Sequence, residues 1–152
     1  MFKIVEPSHA FFGEKDAQQL RVIQQMVIDL NFPIEIISCP IVREENGLAM
    51  SSRNQYLTNK EREQASVIYK ALQEGRNLLI AGEKNPQAVR SHISDKISSE
   101  PSLVIDYVSV ADNQTLEEVT TKIEGKVLVS VAVCLGEVRL IDNFSYSASS
   151  SI

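Results

Sequence analysis

The chain has 152 residues, a hydrophobic content of 43% and a formal net charge of −5. This length suits one domain, or one small domain with part of another, and the composition supports a packed core rather than disorder. The negative charge argues against general binding to nucleic acid or to anionic membranes. The longest apolar run, residues 127–135, is too short to span a bilayer, and the first ten residues lack the features of a secretory signal. We therefore expect a cytoplasmic protein.

The cysteines and histidines are too few and too scattered for a metal centre. Cys39 and Cys134 form no Cys-x-x-Cys pair, and His9 and His92 are the only two histidines. A zinc cluster needs more ligands at closer spacing. We interpret the cysteines as ordinary buried thiols of a reducing compartment and the histidines as structural or surface residues.

The first 40 residues predict a strand, a helix and a second strand. A short strand over residues 9–12 ends at Gly13, and apolar residues then recur at helical spacing from Asp16 to Leu30. Pro33 disfavours helical geometry in the residue before it, and residues 34–38 read as a buried strand. This order predicts one βαβ unit of a parallel sheet. Because two strands do not make a domain, either the unit packs against the rest of the chain or the chain is the downstream portion of a longer protein; we favour the second alternative.

Two helices are predicted next. Thr58 and Glu61 have the spacing of a capping box, so a helix is expected from there to about Ala81, with Gly75 as a weak point. Asn85 followed by Pro86 is typical of an N-cap and a first-turn proline, and predicts the second helix.

The remaining sequence changes to the periodicity of strands. Strands are predicted over residues 103–110, 126–134 and 138–142, with Gly136 and Glu137 forming a tight hairpin between the last two. Residues 115–121 suggest a helical turn, and the serine-rich residues 145–152 suggest a frayed tail. Residues 41–152 are thus expected to form a small α+β module with two helices and a three-stranded antiparallel sheet.

The stretch FFGEKDAQQL has the pattern of an anion site at a helix start. Gly13 follows the first strand and Asp16 opens the helix, where unpaired N–H groups favour a bound anion. Lys15 would add a positive charge suited to phosphate or carboxylate, and Gln19 lies one turn further along the same helix face. The alternative is an ordinary helix start, with Asp16 as the cap and Lys15 in solvent.

The stretch GLAMSSRNQYLT has the pattern of a phosphate-binding loop. Ser51, Ser52 and Asn54 can donate hydrogen bonds to phosphate oxygens, and Arg53 offers a planar fork for bidentate contact. Gly47 would allow the loop to bend or to approach a ligand closely. No histidine or cysteine lies nearby as a base, which argues against a nucleophilic serine. The alternative is a serine-rich turn ahead of a capped helix.

Other polar stretches are interpreted as structural. Residues Arg43–Asn46 suggest a solvated, charged hairpin or loop, and Ile105–Asp112, with Tyr107 and Asp112, suggests a half-buried strand rather than a pocket lining. The common glycine-rich nucleotide-binding motifs are absent from the sequence. Phosphate binding would therefore depend on Lys15, the Ser51–Asn54 loop and helix ends.

The two candidate stretches and the spacing between them resemble the pantoate–β-alanine ligase family. The similarity rests on the runs Gly13–Asp16 and Met50–Asn54, with Gln19 and Val42 between them. It is strongest over residues 1–57, continues more loosely to VRLIDN, and covers about the downstream half of a family member. The resemblance implies the end of a Rossmann-like nucleotide-binding domain over residues 1–40 and a C-terminal α+β lid domain over residues 41–152.

The resemblance also implies a reaction and a set of site residues. Family members condense (R)-pantoate with β-alanine through a pantoyl-adenylate, using ATP with Mg²⁺ as a substrate complex and no permanently bound cofactor, and are expected to be homodimers. Gln19 would bind pantoate, and Met50–Arg53 would be a mobile loop that closes over the triphosphate as the Lys-Met-Ser-Lys-Ser loop does in class I aminoacyl-tRNA synthetases. Leu48, Ala49 and Tyr56 would anchor this loop. The catalytic residues would be Lys15, Ser51, Ser52 and Arg53. The ATP contacts would be Gly13, Glu14, Lys15, Asp16, Val42, Met50, Ser51, Ser52 and Arg53.

One feature of the family is missing from this sequence. Family members carry a His-x-Gly-His-type motif in an upstream half, and no such motif occurs here. We therefore expect a fragment that cannot complete the reaction alone. Two alternatives stay open: a non-catalytic binding or dimerisation module, and a related adenylyl-transferring enzyme for another small carboxylic acid.

Overall fold

The computed structural model describes residues 7–148 and Ile4, and the chain divides into two compact units, Met1–Ile41 and Val42–Ile152. The N-terminal unit contains strand β1 (His9–Gly13), a 3₁₀ turn (Glu14–Asp16), helix α1 (Ala17–Asp29) and strand β2 (Glu35–Cys39). The two strands pair in parallel, from His9 opposite Glu35 to Gly13 opposite Cys39. The predicted βαβ unit is confirmed. The second strand, however, is not buried as predicted: Glu35 and Ser38 are exposed, and the other residues of β2 are half-buried.

Local sequence signals set both ends of α1. The Asp16 carboxylate accepts a hydrogen bond from the Gln19 backbone N–H and so caps the first turn. Leu20 and Val27, seven residues apart, are the buried residues of the helix. After the last turn, Asn31 adopts a left-handed conformation with φ of 50°, which asparagine tolerates better than most residues.

The C-terminal unit is the larger one and contains the antiparallel sheet. Its elements are a 3₁₀ turn (Ser52–Tyr56), helices α2 (Asn59–Ile80) and α3 (Pro86–Ser98), and strands β3 (Leu103–Asp112), β4 (Lys126–Leu135) and β5 (Val138–Ser147). The sheet order is β3-β4-β5, and both helices pack on the sheet and against each other. The predicted architecture of two helices and three antiparallel strands is confirmed.

Both helix starts in this unit follow their sequence signals. The Thr58 side chain accepts from the Glu61 backbone N–H while the Glu61 carboxylate accepts from the Thr58 backbone, which completes a capping box. Asn85 caps α3. Gly75, however, is not simply a weak point of α2. A Cβ atom there would lie 2.6 Å from Ile93 Cδ1, so the glycine allows α2 and α3 to pack closely.

Two predictions about the strand region are wrong. Residues 115–121 do not form a helical turn: the Asp112 carboxylate caps a turn at the end of β3, and Glu118 then forms a bridge with Ala111. Strand β3 ends at Asp112, in agreement with the interpretation of Ile105–Asp112 as a strand. Strand β5 continues to Ser147, which pairs with Lys126, so this part of the serine-rich stretch is strand rather than a frayed tail. Residues 149–152 lie outside the described part.

The core of the C-terminal unit lies between the sheet and the two helices. The β4 valines that alternate along the central strand are fully buried and join the apolar residues of α2 and α3 in one cluster. Its largest members include Ile68, Leu79, Ile93, Ile97, Val127, Val129, Val131 and Val133.

The two cysteines, Cys134 near the end of β4 and Cys39 in β2, are free thiols. Both are half-buried, whereas they were predicted to be buried.

A charged cluster on the surface links α2 to α3. The Glu74 carboxylate lies 2.7 Å from Lys96 Nζ and 2.9 Å from His92 Nε2. Hydrogen bonds from Lys96 and then His92 lower the pKa of Glu74 below its ordinary value of 4.5. Because the folded-state pKa is the lower one, this cluster stabilises the fold above pH 4.5 and loses that effect as the pH falls through the folded-state pKa.

We expect Glu74→Gln to lower the free energy of unfolding at pH 7 by less than about 1 kcal/mol, because the pair is solvent-accessible. The difference from wild type should shrink as the pH falls below 4.5, the ordinary value for this carboxyl. Urea denaturation at a series of pH values checks this, with the exposed Glu137→Gln as a matched control. If the difference in the free energy of unfolding between Glu74→Gln and wild type stays constant as the pH falls below 4.5, the Glu74 carboxylate is not the source of the stabilisation.

Candidate functional site

The residues predicted to contact ATP in the N-terminal unit lie at a strand-to-helix junction. Gly13 is the last residue of β1, and Glu14, Lys15 and Asp16 form the 3₁₀ turn that leads into α1. The site therefore combines the carboxyl end of a parallel strand with the amino end of a 13-residue helix, where backbone N–H groups favour anions. Lys15 is half-buried, and Gln19 is exposed on the first turn.

Asp16 and Gln19 are brought together at this junction. The distance from the Gln19 backbone nitrogen to Asp16 Oδ1 is 3.4 Å. Asp16 thus takes the capping role that an ordinary helix start would give it. The Gln19 side-chain amide is not used in this contact, because the bond is made by its backbone.

In the C-terminal unit, residues 42–50 form a short hairpin that brings Val42 and Met50 together. Arg43 and Ala49 form an isolated antiparallel bridge, and the Met50 backbone N–H donates to the Val42 carbonyl at 2.9 Å. The side chains of Val42 and Met50 are 64% and 54% exposed. Two predicted ATP contacts are therefore adjacent and open to solvent.

Three of the four side chains predicted to bind phosphate in this loop follow the hairpin directly. Ser51 is extended, and its hydroxyl oxygen accepts from the Arg53 backbone N–H at 3.3 Å, which caps the 3₁₀ turn. Ser52 is exposed. Arg53 Nη1 donates to the Arg139 carbonyl at 3.2 Å, also at an exposed position. Since a guanidinium has five N–H donors, this single bond leaves Arg53 further capacity for an oxyanion.

The structure corrects the expected roles of two neighbouring residues. Asn54 does not point toward a ligand: it is only 3% exposed, and its Nδ2 donates to Glu44 Oε1 at 2.7 Å and to the Ala49 carbonyl at 3.2 Å. Tyr56 does not anchor the loop, because it is 70% exposed. The buried apolar residues around the loop are Leu48, Ala49 and Leu57.

The prediction that Arg43–Asn46 is solvated is wrong for Arg43. Its guanidinium donates to both carboxylate oxygens of the buried Asp142, at 2.7 and 3.0 Å, and to the Gly47 carbonyl at 3.0 Å. It also lies 4.1 Å from the centroid of the Tyr69 ring. Sequence reasoning missed this contact because Asp142 lies 99 residues away and is hidden in an otherwise strand-like pattern.

Gly47 allows the chain to bend, as one of its two predicted roles required, and its close approach is to Tyr69 rather than to a ligand. Its φ of +91° is one that side-chain-bearing residues rarely adopt, and a Cβ would lie 2.2 Å from Tyr69 Cδ1. The glycine thus allows the hairpin to turn while its backbone packs against the ring that carries Arg43.

Several other polar residues take structural positions, in agreement with their interpretation from sequence. The Tyr107 ring has the guanidinium of Arg139 5.9 Å from its centroid, and Asp112 caps the turn after β3. His9 and His92 each lie beside a glutamate, at 3.4 and 2.9 Å. Within residues 7–148, no three or more His, Cys, Asp or Glu side chains are grouped as metal ligands would be.

Residues 1–145 match the family model described as pantoate-beta-alanine ligase. The chain belongs to the pantoate–β-alanine ligase family. The matched range includes every residue predicted to contact ATP or pantoate, from Gly13 to Arg53. None of the helices in the described part of the chain is long and apolar enough to span a membrane.

Curated relatives agree with the family assignment. The chain is 54% identical to the pantothenate synthetase of Clostridium botulinum strain 657 over 145 residues, which are 95% of this chain and 51% of that protein. It is 54% identical over 143 residues to the pantothenate synthetase of Acetivibrio thermocellus, covering 94% of this chain and 50% of the relative. The chain thus spans about half the length of the curated relatives it matches.

Solved structures of family members share the fold. Pantothenate synthetase from Thermus thermophilus superposes with a TM-score of 0.87 and 39% identity, over 94% of this chain and 51% of that one. The ligase from Francisella tularensis, described as complexed with beta-gamma ATP and beta-alanine, gives a TM-score of 0.60 and 29% identity, over 94% of this chain and 45% of that one. These likenesses confirm the predicted fold class, the end of a Rossmann-like sheet followed by a small α+β domain.

Proposed function

We propose that the chain forms the downstream part of an ATP-dependent ligase that condenses (R)-pantoate with β-alanine through a pantoyl-adenylate. The observation that supports this most is the family match over residues 1–145, which contains all the predicted ATP and pantoate contacts. The strand-to-helix junction at Lys15 and the exposed Ser52 and Arg53 have the chemistry that a polyphosphate requires.

The reaction has two steps. A pantoate carboxylate oxygen attacks the α-phosphorus of ATP, and the bond from that phosphorus to the bridging oxygen breaks, so pyrophosphate leaves with the electron pair. The amine of β-alanine then attacks the carbonyl carbon of the mixed anhydride, AMP leaves and the nitrogen loses a proton. Because a carboxylate is already a nucleophile, the first step needs no strong base, which agrees with a sequence that has no histidine or cysteine next to Ser51 and Ser52.

The proposed role of the site residues is to stabilise charge on the phosphates. Lys15, Ser51, Ser52 and Arg53 would hold the α-phosphate and the departing pyrophosphate, as preorganised donors do in other enzymes. Mg²⁺ would arrive with ATP and be held mainly by phosphate oxygens and water. The remaining ATP contacts would be Gly13, Glu14, Asp16, Val42 and Met50, and Gln19 would bind pantoate.

The segment from Met50 to Arg53 would close over the triphosphate once ATP is bound. Its contacts with the rest of the unit suit such a movement, because the bond from Arg53 to the Arg139 carbonyl lies in solvent and can be exchanged for a phosphate oxygen. Closure would also exclude water from an anhydride that hydrolyses readily.

We further propose that the upstream half of a family member completes the site. Residues 1–40 would form the C-terminal part of a nucleotide-binding domain, and residues 41–152 would form its lid domain. The assembled enzyme would be a cytoplasmic homodimer. The N-terminal unit has large apolar side chains on its surface that a neighbouring part of the sheet would cover. They are Phe11, Val22, Ile28 and Leu30. The same surface would suit a non-catalytic binding module, so turnover must distinguish the two functions.

The test is reconstitution. The chain is co-expressed with the upstream half of the Clostridium botulinum relative, and pantothenate formation is measured with ATP, Mg²⁺, pantoate and β-alanine. We expect turnover from the pair and from neither half alone. Turnover by the chain alone would contradict the division of the site, and an inactive but co-purifying pair would favour the binding module. Activity with another hydroxy acid but not pantoate would indicate the related adenylyl-transferring enzyme.

A further inference from the structure

Three polar side chains meet beneath the segment that is proposed to bind phosphate. We infer that Glu44, Asn54 and Arg62 are positioning residues that anchor the C-terminal end of Met50–Arg53, here called the clamp segment, and so define the conformation from which it closes. This inference rests on the proposed function for its catalytic meaning, although its structural part can be tested without turnover. Glu44 and Arg62 are not among the residues expected to touch a substrate, and Asn54, which was predicted to donate to phosphate, is buried instead.

Asn54 is the centre of the arrangement. It lies directly after the clamp segment and is only 3% exposed, although it is polar. Its Nδ2 donates to Glu44 Oε1 at 2.7 Å and to the Ala49 carbonyl at 3.2 Å. Asn54 is thereby bonded to the hairpin that precedes the clamp segment.

Arg62 connects the same group to α2. Its Nη1 lies 3.4 Å from both carboxylate oxygens of Glu44, and its Nη2 donates to the Asn54 carbonyl at 2.9 Å. Each of the three residues therefore contacts the other two. Because α2 is capped at Thr58 and packed in the core, it provides a rigid support for the contact.

Backbone hydrogen bonds carry this restraint into the clamp segment. The Asn54 N–H donates to the Ser51 carbonyl at 3.0 Å, and the Leu57 N–H donates to the Asn54 carbonyl at 3.1 Å. With Asn54 held, the backbone that carries Ser51, Ser52 and Arg53 starts from one conformation. A segment that closes from one defined conformation brings its donors to the phosphates in one arrangement, and donors in place before charge develops need no further reorganisation.

The polar side chains of Glu44, Asn54 and Arg62 are better suited to fixing a backbone geometry than to stabilising the fold. Among the described residues, Asn54 Oδ1 and Arg62 Nε are the buried side-chain polar atoms without a hydrogen-bond partner. An unpaired buried donor or acceptor lowers stability, and apolar residues would anchor a loop without that cost. A directional polar group, by contrast, specifies one backbone geometry.

The structural test uses amide hydrogen exchange of the chain itself, followed by NMR. We expect Glu44→Ala to speed exchange of the Asn54 and Leu57 amides by about tenfold, while the amides of β4 keep their rates. The matched control is Glu45→Ala, at an exposed neighbouring position. Glu44→Gln, which keeps an acceptor for Asn54 but removes the charge facing Arg62, should give a smaller effect and serves if the alanine variant fails to fold.

Either of two results would overturn the inference. Equal acceleration of amide exchange in β4 would mean that Glu44 merely supports the whole unit, and unchanged exchange at Asn54 and Leu57 would mean that it does not restrain the segment.

In the reconstituted ligase, Glu44→Ala should lower kcat by up to about 100-fold and leave the KM for pantoate nearly unchanged, and Glu44→Gln should keep part of the activity that Glu44→Ala loses. If the wild-type pair has no turnover, the proposed function fails while the exchange result still decides the structural part.

Discussion

Replacing Lys15 with alanine is expected to slow pantoate-dependent pyrophosphate release by the reconstituted ligase about 10²–10³-fold. Lys15 lies in the turn between β1 and α1, where its charge adds to that of the helix N-terminus. Both would act on the phosphates, which gain negative charge as pyrophosphate departs. The loss should fall mainly on kcat, because this charge is greatest in the transition state.

The matched control is Lys70→Ala, at an exposed position of α2 outside the proposed site. It should keep the wild-type rate. The single-turnover rate of pyrophosphate release, measured at saturating and at subsaturating ATP, separates the chemical step from nucleotide binding. A Lys15→Ala enzyme whose only defect is a raised KM for ATP would show that the lysine contributes to binding but not to the adenylation step.

Replacing Asp142 with alanine is expected to lower the free energy of unfolding by about 3 kcal/mol, as for other buried ion pairs that lose one partner. Asp142 is 4% exposed and accepts two hydrogen bonds from Arg43, whose side chain is 21% exposed. Without the carboxylate, the guanidinium would be left mostly buried and unpaired. The partial exposure of Arg43 places the expected cost toward the lower end of the range.

A surface pair in the same sheet provides the control. Arg139 donates twice to Asp106, at 2.9 and 2.8 Å, but the two side chains are 45% and 49% exposed. Asp106→Ala should therefore cost less than about 1 kcal/mol. Urea denaturation of both variants checks the contrast. Equal costs would mean that burial does not determine the contribution of the Arg43–Asp142 pair.

The secondary structure could be predicted from the sequence wherever a local signal determines it. The capping box at Thr58, the N-cap at Asn85 and the break at Pro33 each act within one helical turn, so the helix bounds could be predicted closely. The hydrophobic pattern likewise located the strands, and β4, which is buried on both faces, is a nearly continuous apolar run.

Interactions between distant residues could not be predicted in this way. Strand β5 continues past the polar Asp142 and Asn143 to Ser147 because it pairs with β4. Phe144 and Tyr146 alternate with serines there and pack against the core, a strand signal that the serine-rich composition concealed. Asn54 resembles its solvent-facing neighbours in sequence, yet contacts with Glu44 and Arg62 bury it. The candidate phosphate ligands were found from residue type and resemblance, whereas the residues that support them required the structure.

The measurement that tests the central claim most directly is isotope exchange between pyrophosphate and ATP in the reconstituted ligase, with β-alanine omitted. If this chain contributes to forming a pantoyl-adenylate, exchange will require pantoate, proceed without β-alanine and depend on Lys15. If exchange needs β-alanine, or continues unchanged when this chain is left out, the chain does not take part in an adenylation step and the proposed function is wrong.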